Sequence, residues 1–268
     1  MERKKHIRRI KRLVVKIGSG IVINSKGVNA SFLKALATVV AQLRTSKVEV
    51  VVVSSGAIAC GMGLVGLHRR PHLVAQKQAV AALGQPLLIQ YYIRAFAKHG
   101  ISVSQILLTR DDLENKHRFL TAKHALKELF RLKSVPVVNE NDSVAVEEIK
   151  FGDNDQLSAM VAHLVEADLL VILTDTDGLH DRDPKRYHDA QRISVVPKVD
   201  KKAMGMAMDT LSAKSTGGMI TKLKAAKMAT RFGIPTLITR GNDPRIILEA
   251  IKGCDVGTLF LPSSGSRR

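Results

Sequence analysis

Four short apolar runs, each breaking off into small or polar residues, confine this chain to few folds. Residues 12–17 read RLVVKI and stop at Gly18-Ser19-Gly20, and residues 48–53 read VEVVVV and stop at Ser54-Ser55-Gly56. Residues 135–138, VPVV, stop at Asn139-Glu140-Asn141-Asp142, and residues 169–173, LLVIL, stop at Thr174-Asp175-Thr176-Asp177-Gly178. Apolar runs with little polar alternation are strands buried on both faces, the signature of a parallel sheet covered by helices. The intervening segments supply those helices. Phe32, Leu36, Val39, Val40 and Leu43 recur at helical spacing after the first run, and Leu157, Met160, Val161, Leu164 and Val165 do so before the fourth. The spacing further predicts a helix over 71–99 interrupted near Gly84-Gln85-Pro86, a strand at 101–108, a helix at 119–132 and a weak strand at 193–196. Strands at 236–239 and 258–261 with a helix at 244–251 close an alternating α/β chain. Met204, Met206 and Met208 alternate with small residues and read either as a flexible lid or as ordinary adaptable packing.

Ligands of open α/β sheets bind at the carboxyl ends of the strands, which is where the informative residues fall. Lys16 interrupts an apolar run there; it is either a surface lysine snorkelling off an edge or a buried functional cation. Gly18-Ser19-Gly20 would let backbone approach a phosphate closely, but Ile23 occupies the third glycine position of a dinucleotide fingerprint, and no P-loop pattern occurs. Gly56 permits a tight turn into a helix whose free N–H groups suit an anion, with Ser55 either a donor to substrate or a cap. The stretch 137–162 places Asp142, Asp153, Asn154 and Asp155 around a short apolar hairpin and then starts an amphipathic helix. Any one of these side chains is most simply a turn or helix cap. Four in one stretch read as the floor of an active site. Residues 215–222, STGGMITK, open a basic helix, and two glycines before a lysine at a helix start suit a nucleotide phosphate chain.

Size and composition remove several classes. The 268 residues, 45% hydrophobic, are enough for one large domain with a real core. Cys60 and Cys254 are too few for a disulfide framework, and no apolar run reaches the roughly 18 residues of a membrane span. The first residues, MERKKHIRRIKR, have no apolar signal core, so the expected location is the cytosol. A formal charge of +18 and a pI near 10.1 raise the question of nucleic acid. The basic residues are spread over many helix faces, and only 4% of residues are aromatic, so a solvated basic surface that attracts anionic substrates is the better reading.

Taken in order and spacing, KIGSG, SSGAIA, NEND, FGDND, LTDTDGL and STGGMITK resemble the amino acid kinase family, and within it the branch that phosphorylates the side-chain carboxylate of glutamate. The resemblance runs from Arg12 to about Pro262, with support from KQAVAALGQPLLIQ, LLTRDDLENKHRFLTAKHAL and VGTLF. It implies a three-layer α/β/α sandwich with a mainly parallel central sheet. A basic arm of residues 1–11 would precede a kinase domain over 12–268, with the amino-acid site in its N-terminal half and the ATP site in its C-terminal half. Many members of the branch carry a C-terminal PUA-type domain; the expectation here is the short form without it.

The resemblance also implies roles. Lys16 and Lys222 would flank the transferring phosphoryl group, with Asp155 holding both. Ser55, Asp142 and Asn154 would bind glutamate, Asp142 through its ammonium and Asn154 through a carboxylate, with Asp153 in support. Thr174, Asp175 and the loop Thr216, Gly217, Gly218, Met219, Ile220, Thr221 and Lys222 would bind ATP, with Mg²⁺ held mainly by its phosphates and no dedicated protein metal site. The departures are Ser215, where glycine is usual, and Ile220, where a small polar residue is usual. Expected partners are glutamate, ATP, proline as feedback inhibitor, further copies of the chain as a dimer or tetramer, and a glutamyl phosphate reductase; a membrane and nucleic acid are not expected. The alternatives are a related kinase acting on acetylglutamate or aspartate, and a nucleic-acid-binding protein on a kinase scaffold.

Overall fold

The computed structural model describes residues 2–7, 9–25, 27–145, 154–184, 186–208 and 218–262. The chain opens with a short helix α1 (Glu2–His6) and enters strand β1 (Arg12–Ile17). A one-turn helix α2 (Ser19–Val22) and a small hairpin of β2 (Ile23–Asn24) and β3 (Gly27–Val28) follow, before helix α3 (Ala30–Thr45), which starts where Asn29 accepts from the Phe32 N–H. Strand β4 (Glu49–Ser54) turns through Gly56 into α4 (Ala57–Leu64), and the long α5 (Val74–Ala97) returns the chain to β5 (Val103–Leu108). Helix α6 (Arg110–Glu114) begins with a capping box between Thr109 and Asp112, then come α7 (Lys116–Arg131) and β6 (Val135–Glu140). Helix α8 (Asn154–Leu164) and β7 (Leu169–Thr174) lead to the short β8 (Val195–Val196) and α9 (Lys201–Met208). The last elements are α10 (Met219–Arg231), β9 (Thr236–Arg240), α11 (Ile246–Ile251) and β10 (Thr258–Phe260).

Among the described residues eight strands form one sheet in the order β5-β6-β4-β1-β7-β9-β10-β8. Only the pairing of β9 with β10 is antiparallel, so the sheet is mainly parallel, as the unbroken apolar runs require. Its two faces carry separate cores. Leu13, Val15 and Ile17 join residues of α3 and α5 on one side, while Val14 joins Leu157, Leu164, Leu223 and Ala226 of α8 and α10 on the other. This is the expected three-layer α/β/α sandwich. Strand alternation puts Lys16 on the α8 and α10 face, and β1 is where the strand order reverses, with β4 on one side and β7 on the other.

Two local expectations change, and a third lies outside the described residues. Helix α5 runs unbroken past Pro86. The proline lies on the exposed side, where water can take the Ala82 carbonyl that lacks a helical donor. The methionine-rich segment is neither lid nor loop: it is helix α9, with Ala203 and Ala207 buried and Met204 and Met206 packed against the core. The apolar hairpin expected before Asn154 falls largely on residues 146–153, outside the described residues.

The basic N-terminus also acquires a place. Arg3 is buried and donates to the carbonyls of Ser194, Cys254, Val256 and Gly257, with Asp255 at 3.3 Å. One of the charges that composition assigns to a solvated surface thus holds α1 against the turn before β10.

Candidate active site

Helices α8 and α10 lie side by side on one face of the sheet, and both start at its carboxyl edge. Asp155, in the first turn of α8, is wholly buried (0% exposed). One carboxylate oxygen pairs with Lys16 Nζ; the other lies 3.3 Å from Lys222 Nζ and accepts from the Thr221 hydroxyl at 2.9 Å. Lys16 and Lys222 are themselves only 3% and 6% exposed. Two ammonium groups around one carboxylate leave one net positive charge at the strand ends. In so dry a place that charge acts strongly on any anion that reaches it.

The adjacent residue faces the other way, because successive helical side chains are about 100° apart. Asn154 Nδ2, with two hydrogens shared among three acceptors, donates to Ser54 O (3.1 Å), Ser55 Oγ (2.9 Å) and Asn139 Oδ1 (2.7 Å). Two of these acceptors have no proton to give, so the NH₂ group of Asn154 points at them and its oxygen points elsewhere. That oxygen is buried with no hydrogen-bond partner among the described residues.

Asn154 and Ser55 line a cleft of about 190 Å³ together with Ser19, Asn139, Glu140, Asp142, Arg70 and the start of α4. Gly56, at φ 120°, makes the turn that aims the first N–H groups of α4 into this cleft, a conformation side-chain-bearing residues resist. These orphan amides and Arg70 suit a carboxylate, while Glu140 and Asp142 suit an ammonium. The Ser55 hydroxyl, which accepts from Asn154, keeps its own proton to donate. The cleft is therefore complementary to both charges of an amino acid.

On the other side of Lys16, β7 ends in Thr174, whose hydroxyl donates to Asp175 at 3.0 Å. Helix α10 begins after Gly218, which has no side chain to cap it, and a helix N-terminus of this kind suits an anion. Gly218, Met219, Ile220 and Thr221 are half-buried along this start, with Lys222 inside it. Asp153, Thr216 and Gly217 lie outside the described residues.

Lys16, Asp155, Lys222 and Thr221 are thus brought together directly, Ser55, Asp142 and Asn154 share the cleft, and Thr174 and Asp175 stand apart at the end of β7. Ser19, Asn139 and Glu140, in strand ends that the sequence singles out without giving these residues a role, also line the cleft. Arg70 joins it from an unpatterned connection that gives no signal.

Among the described residues no three acidic, histidine or cysteine side chains gather as a cation cage, and no helix is long and apolar enough to cross a membrane. The amino acid kinase family model matches residues 11–240. A glutamate 5-kinase of Geobacter metallireducens is 49% identical over 97% of this chain and 70% of its own length, and one of Thermus thermophilus is 48% identical over 93% and 67%. Two solved structures share the fold: a carbamate kinase from Giardia lamblia bound to AMP-PNP, at TM-score 0.66 and 16% identity, and an isopentenyl phosphate kinase, at 0.64 and 14%. They cover 94% and 93% of this chain and 99% of their own.

Proposed function

The chain belongs to the amino acid kinase family, among its glutamate 5-kinases, and from that premise we propose how its residues carry out the reaction. The reaction is ATP-dependent phosphorylation of the side-chain carboxylate of L-glutamate to L-glutamyl 5-phosphate, the first step of proline biosynthesis. The observation that carries the mechanism is Asp155, buried between Lys16 and Lys222 where the two half-sites meet.

The acceptor carboxylate has a reference pKa of about 4.3, so it is already ionised at neutral pH and needs no general base. A carboxylate oxygen forms a bond to the γ-phosphorus, and the bond from that phosphorus to the bridging oxygen breaks with its electrons going to ADP. The obstacle is repulsion between the carboxylate and the phosphate chain, with charge spreading over the equatorial oxygens in transit. Lys16 and Lys222 would sit on either side of that charge. Asp155 would keep both ammonium groups aimed before substrate arrives, so that no reorganisation is needed during transfer.

On the amino-acid side, the first N–H groups of α4, Arg70 and Ser55 would take the α-carboxylate, and Asp142 and Glu140 the ammonium. Asn154 would bind glutamate beside them; its NH₂ group already has protein acceptors, which favours its oxygen, and so the ammonium, as the point of contact. Asp153 would support this pocket. On the nucleotide side, Thr174, Asp175 and the segment from Thr216 through Gly217, Gly218, Met219, Ile220 and Thr221 to Lys222 would bind ATP, its phosphates at the uncapped start of α10. Mg²⁺ takes few protein ligands and would be held through the ATP phosphates, supplying charge neutralisation there. The same reading places the reaction in the cytoplasm and takes in proline as feedback inhibitor, a homo-oligomer and a reductase that consumes the product. Family resemblance supports these.

The test is direct. Purified protein with ATP, Mg²⁺, L-glutamate and hydroxylamine should yield the glutamyl hydroxamate. No hydroxamate, with turnover of acetylglutamate or aspartate instead, overturns the assignment.

A further inference from the structure

Helix α5 carries three polar side chains spaced seven residues apart, Gln78, Gln85 and Tyr92; Gln85 reaches Asn139 in the wall of the cleft, and the other two reach residues near that wall in the chain. Gln78 Nε2 donates to Ala145 O (3.3 Å), in the turn that follows Asp142. Asn139 Nδ2, near the end of β6, donates to Gln85 Oε1 (2.8 Å). The Tyr92 hydroxyl donates to Ser54 Oγ (2.9 Å) at the end of β4. Seven residues are close to two helical turns, so the three form one stripe. Glycine contact fixes the stripe's position: a Cβ on Gly84 would overlap the Ala57 carbonyl oxygen and the Gly61 nitrogen of α4.

The middle contact reaches furthest. The Glu140 N–H donates to Asn139 Oδ1 (2.9 Å), which decides which end of that amide is oxygen. The NH₂ end of Asn139 then faces Gln85 Oε1, and its oxygen also receives Asn154 Nδ2. Gln85, only 9% exposed, in turn donates to Gln105 Oε1 at 3.3 Å. The run Gln85–Asn139–Asn154 therefore has one direction, and it ends on a buried acceptor, Asn154 Oδ1, with no donor among the described residues.

We propose that Gln85 is a positioning residue for substrate selection: by holding Asn139 it keeps the Asn154 amide with its oxygen turned away from Ser54, Ser55 and Asn139, so that the site favours an acid carrying an unblocked α-ammonium group. This rests on the assignment of glutamate as substrate. It adds to that assignment a residue outside the cleft, on a helix that supplies no other part of the mechanism.

The experiment compares the intact protein with Gln85→Met, which keeps bulk and removes the acceptor. Kinetics are measured with L-glutamate and with glutarate, the same diacid lacking the amine, and calorimetry reads binding of both without turnover. The variant should raise KM for glutamate about tenfold or more, leave KM for ATP within about twofold, and lower the preference for glutamate over glutarate by a similar factor. An unchanged preference overturns the proposal, as does a parallel rise in both KM values. If Gln85→Met does not fold, Gln85→Asn, too short to reach Asn139, is read against the same criteria. Inactive wild-type protein would refute the reaction, while the calorimetric ratio would still decide the role of Gln85.

Discussion

Changing Asp155 to Asn keeps the side chain's shape and removes the one negative charge between two buried ammonium groups. At the 3.3 Å separation of Lys222 Nζ and Asp155 Oδ2, and an effective dielectric of about 20, the lost attraction is about 5 kcal/mol. That is not the net cost, because burying the ions already opposed folding. Removing one partner of a buried pair typically costs about 3–5 kcal/mol, since the remaining charge is left uncompensated. In a chain of this size each kcal/mol moves the thermal midpoint by about 2–4 °C, so Asp155→Asn should lower it by about 6–20 °C. Calorimetry or circular dichroism on wild type and variant measures this directly. A midpoint within about 2 °C of wild type would refute the reasoning. A double-mutant cycle sharpens it: adding Lys222→Met to Asp155→Asn removes one orphaned charge and should recover part of the loss. Strict additivity would show that the carboxylate and the lysine are energetically independent.

Lys222→Ala should lower kcat by about two to three orders of magnitude while leaving KM for glutamate nearly unchanged, because its charge matters most in the transition state. Unchanged kcat with only a weaker KM for ATP would reduce Lys222 to ground-state nucleotide binding. Gly84→Ala should destabilise by about 1–3 kcal/mol and raise KM for glutamate, since the added methyl must push α4, whose first turn lines the cleft, away from α5; urea unfolding and kinetics measure the two effects. Arg3→Ala should cost about 1.5–3 kcal/mol through loss of a charged donor shared by four carbonyls. A pH dependence accompanies it. The Ser194 hydroxyl, with Arg3 and Arg192 acting against partial burial, holds Asp255 below the usual carboxylate range. A depressed acid stabilises above its unfolded pKa of about 3.9 and loses that contribution as pH falls through the lower folded value, so the gap between wild type and Arg3→Ala should narrow below about pH 4. A gap independent of pH would place the Arg3 effect entirely in its carbonyl contacts.

The sequence by itself determined the layers of this protein. Strands buried on both faces need unbroken apolar runs, and β1, β4, β6 and β7 declare themselves that way. A lysine inside such a run and an uncapped glycine start before α10 are likewise local signals, so Lys16 and the Gly218–Lys222 segment were legible as candidates. The resemblance to the amino acid kinase family then implied that Asp155 holds both lysines.

Only the tertiary structure decided which groups remain for a ligand. Asn154 meets Ser54 and Ser55, about a hundred positions away in the chain, and those contacts consume its NH₂ group and leave an acceptor. Arg70 joins the cleft from a connection without pattern, and Arg3 meets Gly257 across 254 positions. Pro86 reads locally as a break, yet α5 continues because packing against α4 outweighs one missing hydrogen bond. The physical reason is common to all four. Periodicity records which face of an element is buried, but which groups meet there is set by the packing of separate elements, and local sequence carries no record of it.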